Sequence, residues 1–363
     1  MVLFAGGGSG GHISPGLAIA ERLVERDPST RFRFVCSKRD IDRTMLTKAG
    51  APFTPIAATP PAIKPSAGLR FLINFRASRK AIGAMIRDES VTDVVALGGF
   101  VAAPVVSEAR AQGIPILMTN LDDPPGRANS WMAPKCSRVI SAIDLPDHAG
   151  FAEQVVGMPV RRNAIASLSP QECRTRLGLD PDKPTLLITG ASQGSTSINR
   201  LVTSLARTSP ECFKGWQIYH LAGTGADEEI RKAYEQAGIQ ALVEPFQHEM
   251  GLAWGCASLA ISRAGASSVA EVAINAVPSL FLPYPYHQDH HQKKNAKPLL
   301  ETGGVVLAID HVDPERNLQE IGPVVKDLLA SPDTLDSMQN SLATHRPPDA
   351  AGIIADLILD GIG

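Results

Sequence analysis

Short apolar runs recur along the chain at residues 2–5, 32–36, 94–97, 115–118 and 139–142. They recur again at 185–189, 217–221, 259–262, 279–283 and 305–309. Segments with helical spacing separate them. Continuous apolar runs of this length, rather than alternating ones, belong to strands covered on both faces. The pattern predicts parallel sheets flanked by helices, and it occurs twice.

The two halves open alike. The first begins with a strand over Val2–Ala5, then Gly6-Gly7-Gly8-Ser9-Gly10-Gly11-His12, then a helix from about Pro15. Proline suits a first helical turn, where its missing N–H is not needed. The second begins with a strand over Thr185–Thr189, then Gly190-Ala191-Ser192-Gln193-Gly194-Ser195. A helix carrying Ile198, Leu201, Val202 and Leu205 at helical spacing follows. The expected fold is α/β, with two Rossmann-like doubly wound domains facing each other across a cleft. The boundary is expected near Gly157-Met158-Pro159-Val160-Arg161-Arg162, giving domains 1–160 and 161–344. Residues 345–363, with Ile353, Ile354, Leu357 and Ile358, predict a final apolar-faced helix that packs back on the first domain.

Composition narrows the function. The chain has 363 residues, 44% apolar and 20% charged, enough to bury a sizeable core and too apolar for disorder. A net charge of −2 excludes a globally basic nucleic-acid binder. No run approaches the ~20 apolar residues of a membrane span. Met1-Val2-Leu3-Phe4-Ala5 lacks the basic start of a signal peptide, so the chain reads as cytosolic. Cys36, Cys136, Cys173, Cys212 and Cys256 form no CxxC pair, and all five are expected to be buried thiols.

The first glycine loop is the strongest chemical signal. Five glycines in seven residues leave main-chain N–H groups open to an anion or a crowded substrate. The spacing is not a Walker A loop. Gly6, Gly8 and Gly11 can be fitted to GxGxxG, but no acidic strand-end residue follows: the second run ends in Ser37-Lys38. His12, closing the loop, is either structural or a general base or substrate contact. Ser262-Arg263-Ala264-Gly265-Ala266-Ser267-Ser268-Val269-Ala270-Glu271 opens another helix, whose N-terminus suits a phosphate. Glu271 would accept from a ribose diol or merely favour the helix dipole. His287, His290 and His291 have metal-ligand spacing if helical. Pro283 and Pro285 make that start a loop, however, so sugar contacts by His291 and Gln292 fit better. Asp40-Ile41-Asp42 is a DxD triplet, expected to be a solvated surface pair. Residues 43–87 contain no Asp or Glu. Within the basic segment 64–87, Phe71, Leu72, Phe75, Ile82, Met85 and Ile86 fall mostly on one helical face. That suits an anionic membrane surface, or an ordinary core helix with solvated basic residues.

Gly6-to-His12 with Pro15-Gly16-Leu17-Ala18, Leu97-Gly98-Gly99-Phe100-Val101, the second glycine loop, the Ser262-to-Glu271 stretch and His291-Gln292 with Asn295-Ala296 occur in order. Together they resemble the MurG-type N-acetylglucosaminyltransferases over nearly the whole chain. The resemblance implies the GT-B fold and an inverting transfer of GlcNAc from UDP-GlcNAc, without metal or cofactor. The acceptor would be lipid I, the lipid-linked muramoyl-pentapeptide, and the product lipid II of peptidoglycan synthesis. The site would be the cytoplasmic face of the inner membrane, reached through segment 64–87. The resemblance makes Ser9, Gly10 and Gly11 donor contacts and His12 a catalytic residue. Arg161 and Ser192 would also touch the donor, and Gln247 would lie where backbone meets uracil. Gly265, Ala266, Ser267, Ser268, Val269 and Ala270 would hold the diphosphate, Glu271 the ribose, and His291 and Gln292 the GlcNAc. One run departs. Where the family carries His-Glu-Gln-Asn, this chain has Thr119-Asn120-Leu121-Asp122. Asp122, or Asp123 beside it, would then substitute for that run, and His12 or Asp122 would take the acceptor's proton. The departure leaves two alternatives open: a paralogue with a different lipid or small-molecule acceptor, or a catalytically silent UDP-sugar-binding protein.

Overall fold

The computed structural model describes residues 1–8, 10–59, 65–190, 194–286 and 291–362. The chain forms two compact units, Met1–Arg161 with Pro348–Gly363, and Arg162–Pro347. The first holds seven strands, β1 (Val2–Ala5), β2 (Phe32–Ser37), β3 (Phe53–Ile56), β4 (Asp93–Ala96), β5 (Ile116–Asn120), β6 (Arg138–Ser141) and β7 (Gln154–Val155). They lie in the order β3-β2-β1-β4-β5-β6-β7, and every pairing is parallel. The second holds β8 (Thr185–Thr189), β9 (Gln217–Leu221), β10 (Ala241–Glu244), β11 (Leu259–Ser262), β12 (Ser279–Phe281) and β13 (Val305–Leu307). Their order is β10-β9-β8-β11-β12-β13, again all parallel. Both sheets are doubly wound. Chain order reverses between β1 and β4, and between β8 and β11, and ligands of such sheets bind beyond the strand ends at these switch points.

Every apolar run of the sequence holds a strand, with ends shifted by up to two residues. β3, β7 and β10, three of the four edge strands, escape the pattern, whereas β13, the fourth, keeps its apolar run. Edge strands are covered less, so no continuous apolar run is needed there. Both residues of β7 are exposed.

Helix α1 (Gly10–Arg26) begins inside the glycine loop, five residues before the expected start, which leaves Pro15 in the helix interior. Its core face carries Ile13, Leu17 and Leu23, packed with the stacked rings of Phe4 and Phe34 at 5.0 Å. Burying each such side chain stabilises by about 1.5–3 kcal/mol. α2 (Asp40–Lys48) follows β2, α3 (Pro65–Asp88) precedes β4, and α4 (Gly99–Ala111) follows β4. Of the apolar face expected on α3, Phe71, Phe75 and Met85 are half-buried and Ile82 and Ile86 buried, and only Leu72 departs from it, joining a second, exposed apolar side. Ser78, Ile82 and Ile86 are buried, whereas Leu69, Leu72 and Ile73 are 61%, 50% and 58% exposed. A spacing of 78, 82, 86 and one of 69, 72, 73 mark different sides of the same helix. Among the cysteines, Cys36, Cys173 and Cys256 are buried, but Cys136 and Cys212 are only partly so.

The last helix, Ala350–Leu359, packs on α1 through Ala351, Ile354, Ala355 and Ile358. Arg22 of α1 is fully buried. Its Nε donates to Asp349 Oδ2 at 2.8 Å, and its Nη2 to the Val160 carbonyl at 3.4 Å. Arg26 pairs with Asp356 one turn on. Arg22→Ala is expected to lower stability by roughly 1–3 kcal/mol, because it strips a partly buried pair. Chemical denaturation and hydrogen exchange check this; unchanged protection of residues 350–359 would contradict it.

Candidate active site

β1 ends at Ala5, and the chain must reverse into α1. Gly7 and Gly8 take φ values of 148° and 94°, which side-chain-bearing residues rarely adopt. A Cβ on Gly7 would lie 2.4 Å from Asp42 Oδ2. Asp42 is therefore no solvated surface residue: it is fully buried, and the expectation for the DxD triplet fails on it. α2 folds back over the end of β2, so Asp42 Oδ2 accepts from Gly8 N–H at 2.7 Å, Ser37 N–H at 3.1 Å and Ser37 Oγ at 2.6 Å. Arg39 Nη1 donates to the Gly8 carbonyl at 2.5 Å. Gly6 N–H donates to the Val35 carbonyl at 3.2 Å. The first loop is thus less bare than its sequence suggests, since two of its amides already have protein acceptors.

His12 lies two residues inside α1. Its Nδ1 sits 3.4 Å from the Gly7 carbonyl, and its Nε2 lies 3.9 Å from Asp122 Oδ2. The His12 side chain is 18% exposed and that of Asp122 61%. Asp122 is placed by a buried amide chain. Asn120 Nδ2 donates to the Asp122 carbonyl at 2.8 Å and to Ser141 Oγ at 3.2 Å. Asn129 Nδ2 donates to Asn120 Oδ1 at 2.9 Å. Asn129 Oδ1 in turn accepts from Gly99 N–H at 3.3 Å. The structure therefore brings the His12 imidazole and the Asp122 carboxylate together. Arg161, elsewhere in this unit, donates from Nε to Glu21 Oε1 at 2.8 Å.

In the second unit, β11 leads through Arg263 and Ala264 to Gly265, the N-cap of the helix Ala266–Asn275. No side chain caps this helix, and a Cβ on Gly265 would meet nothing within 4 Å. Its first-turn N–H groups, from Ala266, Ser267 and Ser268, are thus approachable and carry the positive dipole end. Val269 and Ala270 continue the turn. Glu271 is half-buried on the same helix and accepts from Trp254 Nε1 at 2.7 Å. Burial pushes its carboxyl up to about 7, against the pull of the indole hydrogen bond. Gln247 donates to Tyr219 Oη at 3.0 Å and accepts from Glu249 N–H at 2.9 Å, so its side chain is occupied within the unit. Gln292 Oε1 accepts from Tyr284 N–H at 2.8 Å. His291 opens the helix His291–Glu301. Ser9, Ser192, His287 and His290 lie outside the described residues, as do Ala191 and Gln193 of the second loop.

The group that joins these loops carries no motif in the sequence. Arg263, buried, donates to Asp310 Oδ2 at 2.7 Å, Ser195 Oγ at 2.8 Å, Ser197 Oγ at 2.7 Å and the Leu282 carbonyl at 2.8 Å. Ser195 is the N-cap of the helix Thr196–Thr208. Burial alone would raise Asp310, but hydrogen bonds from Ser197, Asn317 and Val312 and the Arg263 charge hold its carboxyl below the ordinary value. One ion pair thus ties the turns after β8, β11, β12 and β13. Only a charged arginine in the Ser262-Arg263 turn signalled it. Asp310 sits 47 residues further on, and its burial is invisible in sequence.

The geometry is that of a doubly wound α/β protein with an uncapped helix N-terminus in one unit and a histidine–carboxylate pair in the other. Comparison with known proteins refines it. The N-terminal domain of glycosyltransferase family 28 matches residues 2–141, and the C-terminal domain of that family matches residues 185–352. The chain belongs to glycosyltransferase family 28. Within it, the similarity is to proteins named UDP-N-acetylglucosamine–N-acetylmuramyl-(pentapeptide) pyrophosphoryl-undecaprenol N-acetylglucosamine transferase. That of Nocardioides sp. is 32% identical, covering 100% of this chain and 98% of its own. That of Clavibacter michiganensis is 33% identical, over 99% and 96%. Among solved structures, the MurG of Acinetobacter baumannii superposes with a TM-score of 0.74 at 26% identity, covering 99% of each chain. The UDP-GlcNAc 2-epimerase of Neisseria meningitidis shares the fold alone, with a TM-score of 0.64 at 12% identity over 99% of each chain. The fold is GT-B, built of two Rossmann-like domains.

The raised Glu271 carboxyl sets a pH dependence. Its folded value of about 7 exceeds the unfolded value of 4.5, so the folded state binds the proton more tightly. Wild-type stability should therefore fall as pH rises from 4.5 to about 7 and then level. Glu271→Gln lacks this loss. Its melting temperature relative to wild type should climb between pH 4.5 and 8; a constant difference would refute the assignment.

Proposed function

We propose that this chain transfers GlcNAc from UDP-GlcNAc, with inversion, to the muramoyl sugar of the undecaprenyl-pyrophosphoryl pentapeptide acceptor. The observation that carries the reading is likeness along the entire chain to enzymes named for that reaction. The open helix N-terminus at Gly265 supports it, with the first-turn amides of Gly265, Ala266, Ser267 and Ser268 facing the diphosphate, Val269 and Ala270 continuing that turn, and Glu271 at the ribose diol. Ser9, Gly10, Gly11, Arg161 and Ser192 complete the donor contacts. The backbone at Gln247 meets uracil, and His291 and Gln292 meet the GlcNAc hydroxyls. For Arg161 this requires exchange of its Glu21 partner.

The chemistry then runs as a single displacement. The acceptor O4 attacks C1 of GlcNAc from the face opposite the phosphate. The O4–C1 bond forms, and the bond from C1 to the β-phosphate oxygen breaks with its electron pair, which leaves on UDP. Preorganised amides at the Gly265 helix stabilise that developing charge. The O4 proton passes to His12 Nε2, and the Asp122 carboxylate 3.9 Å away balances the imidazolium.

The acceptor is lipid-linked, and α3 offers a seat on an anionic membrane at the cytoplasmic face. Leu69, Leu72 and Ile73 stand exposed beside Arg70, Arg76 and Lys80. Trp131, 44% exposed, packs against Phe75 at 6.4 Å and carries Lys135 3.7 Å over its ring. Exposed apolar residues ringed by cations bind anionic bilayers. No helix among the described residues is long and apolar enough to cross a membrane.

A second reading rests on the 119–122 run: a paralogue with the same donor and another acceptor. Incubation with labelled UDP-GlcNAc and a lipid I analogue, with mass analysis of the lipid fraction, separates the readings. Conversion to the disaccharide lipid supports the first. UDP-GlcNAc binding without that conversion supports the paralogue, and binding with no transfer to any lipid supports a silent binder. In the active enzyme, His12→Ala should lower turnover by about 10²–10⁴-fold and leave UDP affinity nearly unchanged. Glu271→Ala should weaken UDP by roughly tenfold or more. Replacing Leu69, Leu72 and Ile73 together by Glu should abolish co-sedimentation with vesicles containing anionic lipid, and full retention would exclude this face.

A further inference from the structure

The Asp42 carboxylate lies beneath the first glycine loop, and nothing in the proposed reaction yet uses it. Oδ2 collects three hydrogen bonds, while Oδ1, equally buried, has no hydrogen-bond partner. A buried carboxylate so placed fixes the groups that donate to it. One is Gly8 N–H. Arg39 holds the carbonyl of the same residue, so Gly8 is gripped at both its polar groups. The peptide that ends at Gly8 N begins at the Gly7 carbonyl. Gripping Gly8 N–H therefore sets the direction of that carbonyl, because the peptide unit is planar. The Gly7 carbonyl is the group that faces His12 Nδ1.

We propose that Asp42 is a positioning residue for the transfer: through the Gly7–Gly8 peptide it aims the Gly7 carbonyl at His12 Nδ1 and thereby fixes the imidazole tautomer. A carbonyl oxygen only accepts, so Nδ1 must carry the proton in this contact. Nε2 of the neutral ring is then left with its lone pair, on the side where Asp122 lies. A histidine free to hold its proton on Nε2 would face the acceptor hydroxyl with a donor rather than a base. The device acts through the main chain, with a carboxylate one peptide removed from the ring. This role rests on the reading of His12 as the general base.

Nitrogen NMR of the wild-type enzyme at alkaline pH tests it directly, with His12→Gln to assign the resonances. Nδ1 protonated and Nε2 bare is the expected state, and the opposite tautomer overturns the proposal with no variant needed. Asp42→Ala should mix the tautomers and lower turnover by up to about 100-fold, with UDP affinity unchanged within about twofold. Asp42→Asn keeps an oxygen able to accept from Gly8 N–H and Ser37, so it should hold the wild-type tautomer and most of the turnover. An unchanged tautomer in Asp42→Ala overturns the role whatever the turnover. Should Asp42→Ala fail to fold, the wild-type spectrum and Asp42→Asn decide: a tautomer change in Asp42→Asn, despite its acceptor oxygen, also counts against the role. The two readings fail separately. Full activity in His12→Ala removes the base, whereas an inactive His12→Ala beside a fully active Asp42→Ala removes only the positioning.

Discussion

A parallel sheet covered on both faces by helices gathers every strand-to-helix turn along one edge. That constraint concentrates unpaired main-chain N–H groups where β1, β4, β8 and β11 end. Each group needs an acceptor, from the protein or from a ligand. The two units meet the demand differently. In the first, Val35 and Asp42 take the amides of Gly6 and Gly8. In the second, the helix at Gly265 starts with no side-chain cap. An anion therefore finds better ground in the second unit, where its charge meets a dipole rather than a carboxylate. The first unit spends its turn on holding a histidine.

Buried charges do much of the joining. Arg263 and Asp310 unite four strand ends, Asp42 joins a helix to a loop 34 residues earlier, and Arg22 reaches Asp349 across 327 residues. Isolated buried ions are unfavourable, so each must be met by several partners. Those several partners make them useful: a guanidinium with five donors orients more chain segments at once than an apolar side chain can.

Much of the architecture was legible because interior parallel strands must be apolar throughout, and the runs at 185–189, 217–221 and 259–262 coincide with β8, β9 and β11. Of the four edge strands, β3, β7 and β10 were not legible, since partial exposure removes the continuous run, whereas β13 keeps its run. The start of α1 is not legible, because Pro15 reads as a first-turn residue whereas the helix begins at Gly10, within the glycine loop. The division of α3 between two faces required knowing which side the sheet covers. In the site, His12, Asp122 and the Gly265 turn were visible as residue types at strand ends. Asp42 was not. In one dimension it is an acidic residue in a polar turn, and only the fold of α2 over β2 brings it beneath Gly8.

The closing segment has a consequence for dissection of the protein. Ala351, Ile354, Ala355 and Ile358 complete the first hydrophobic cluster from a point almost 200 residues beyond Arg161. A fragment truncated at that arginine would bare an oily stripe along α1 and strand the Arg22 guanidinium without its carboxylate. The amino-terminal half is therefore not a contiguous stretch of gene. Producing it alone means splicing residues 348–363 back on, behind a short linker.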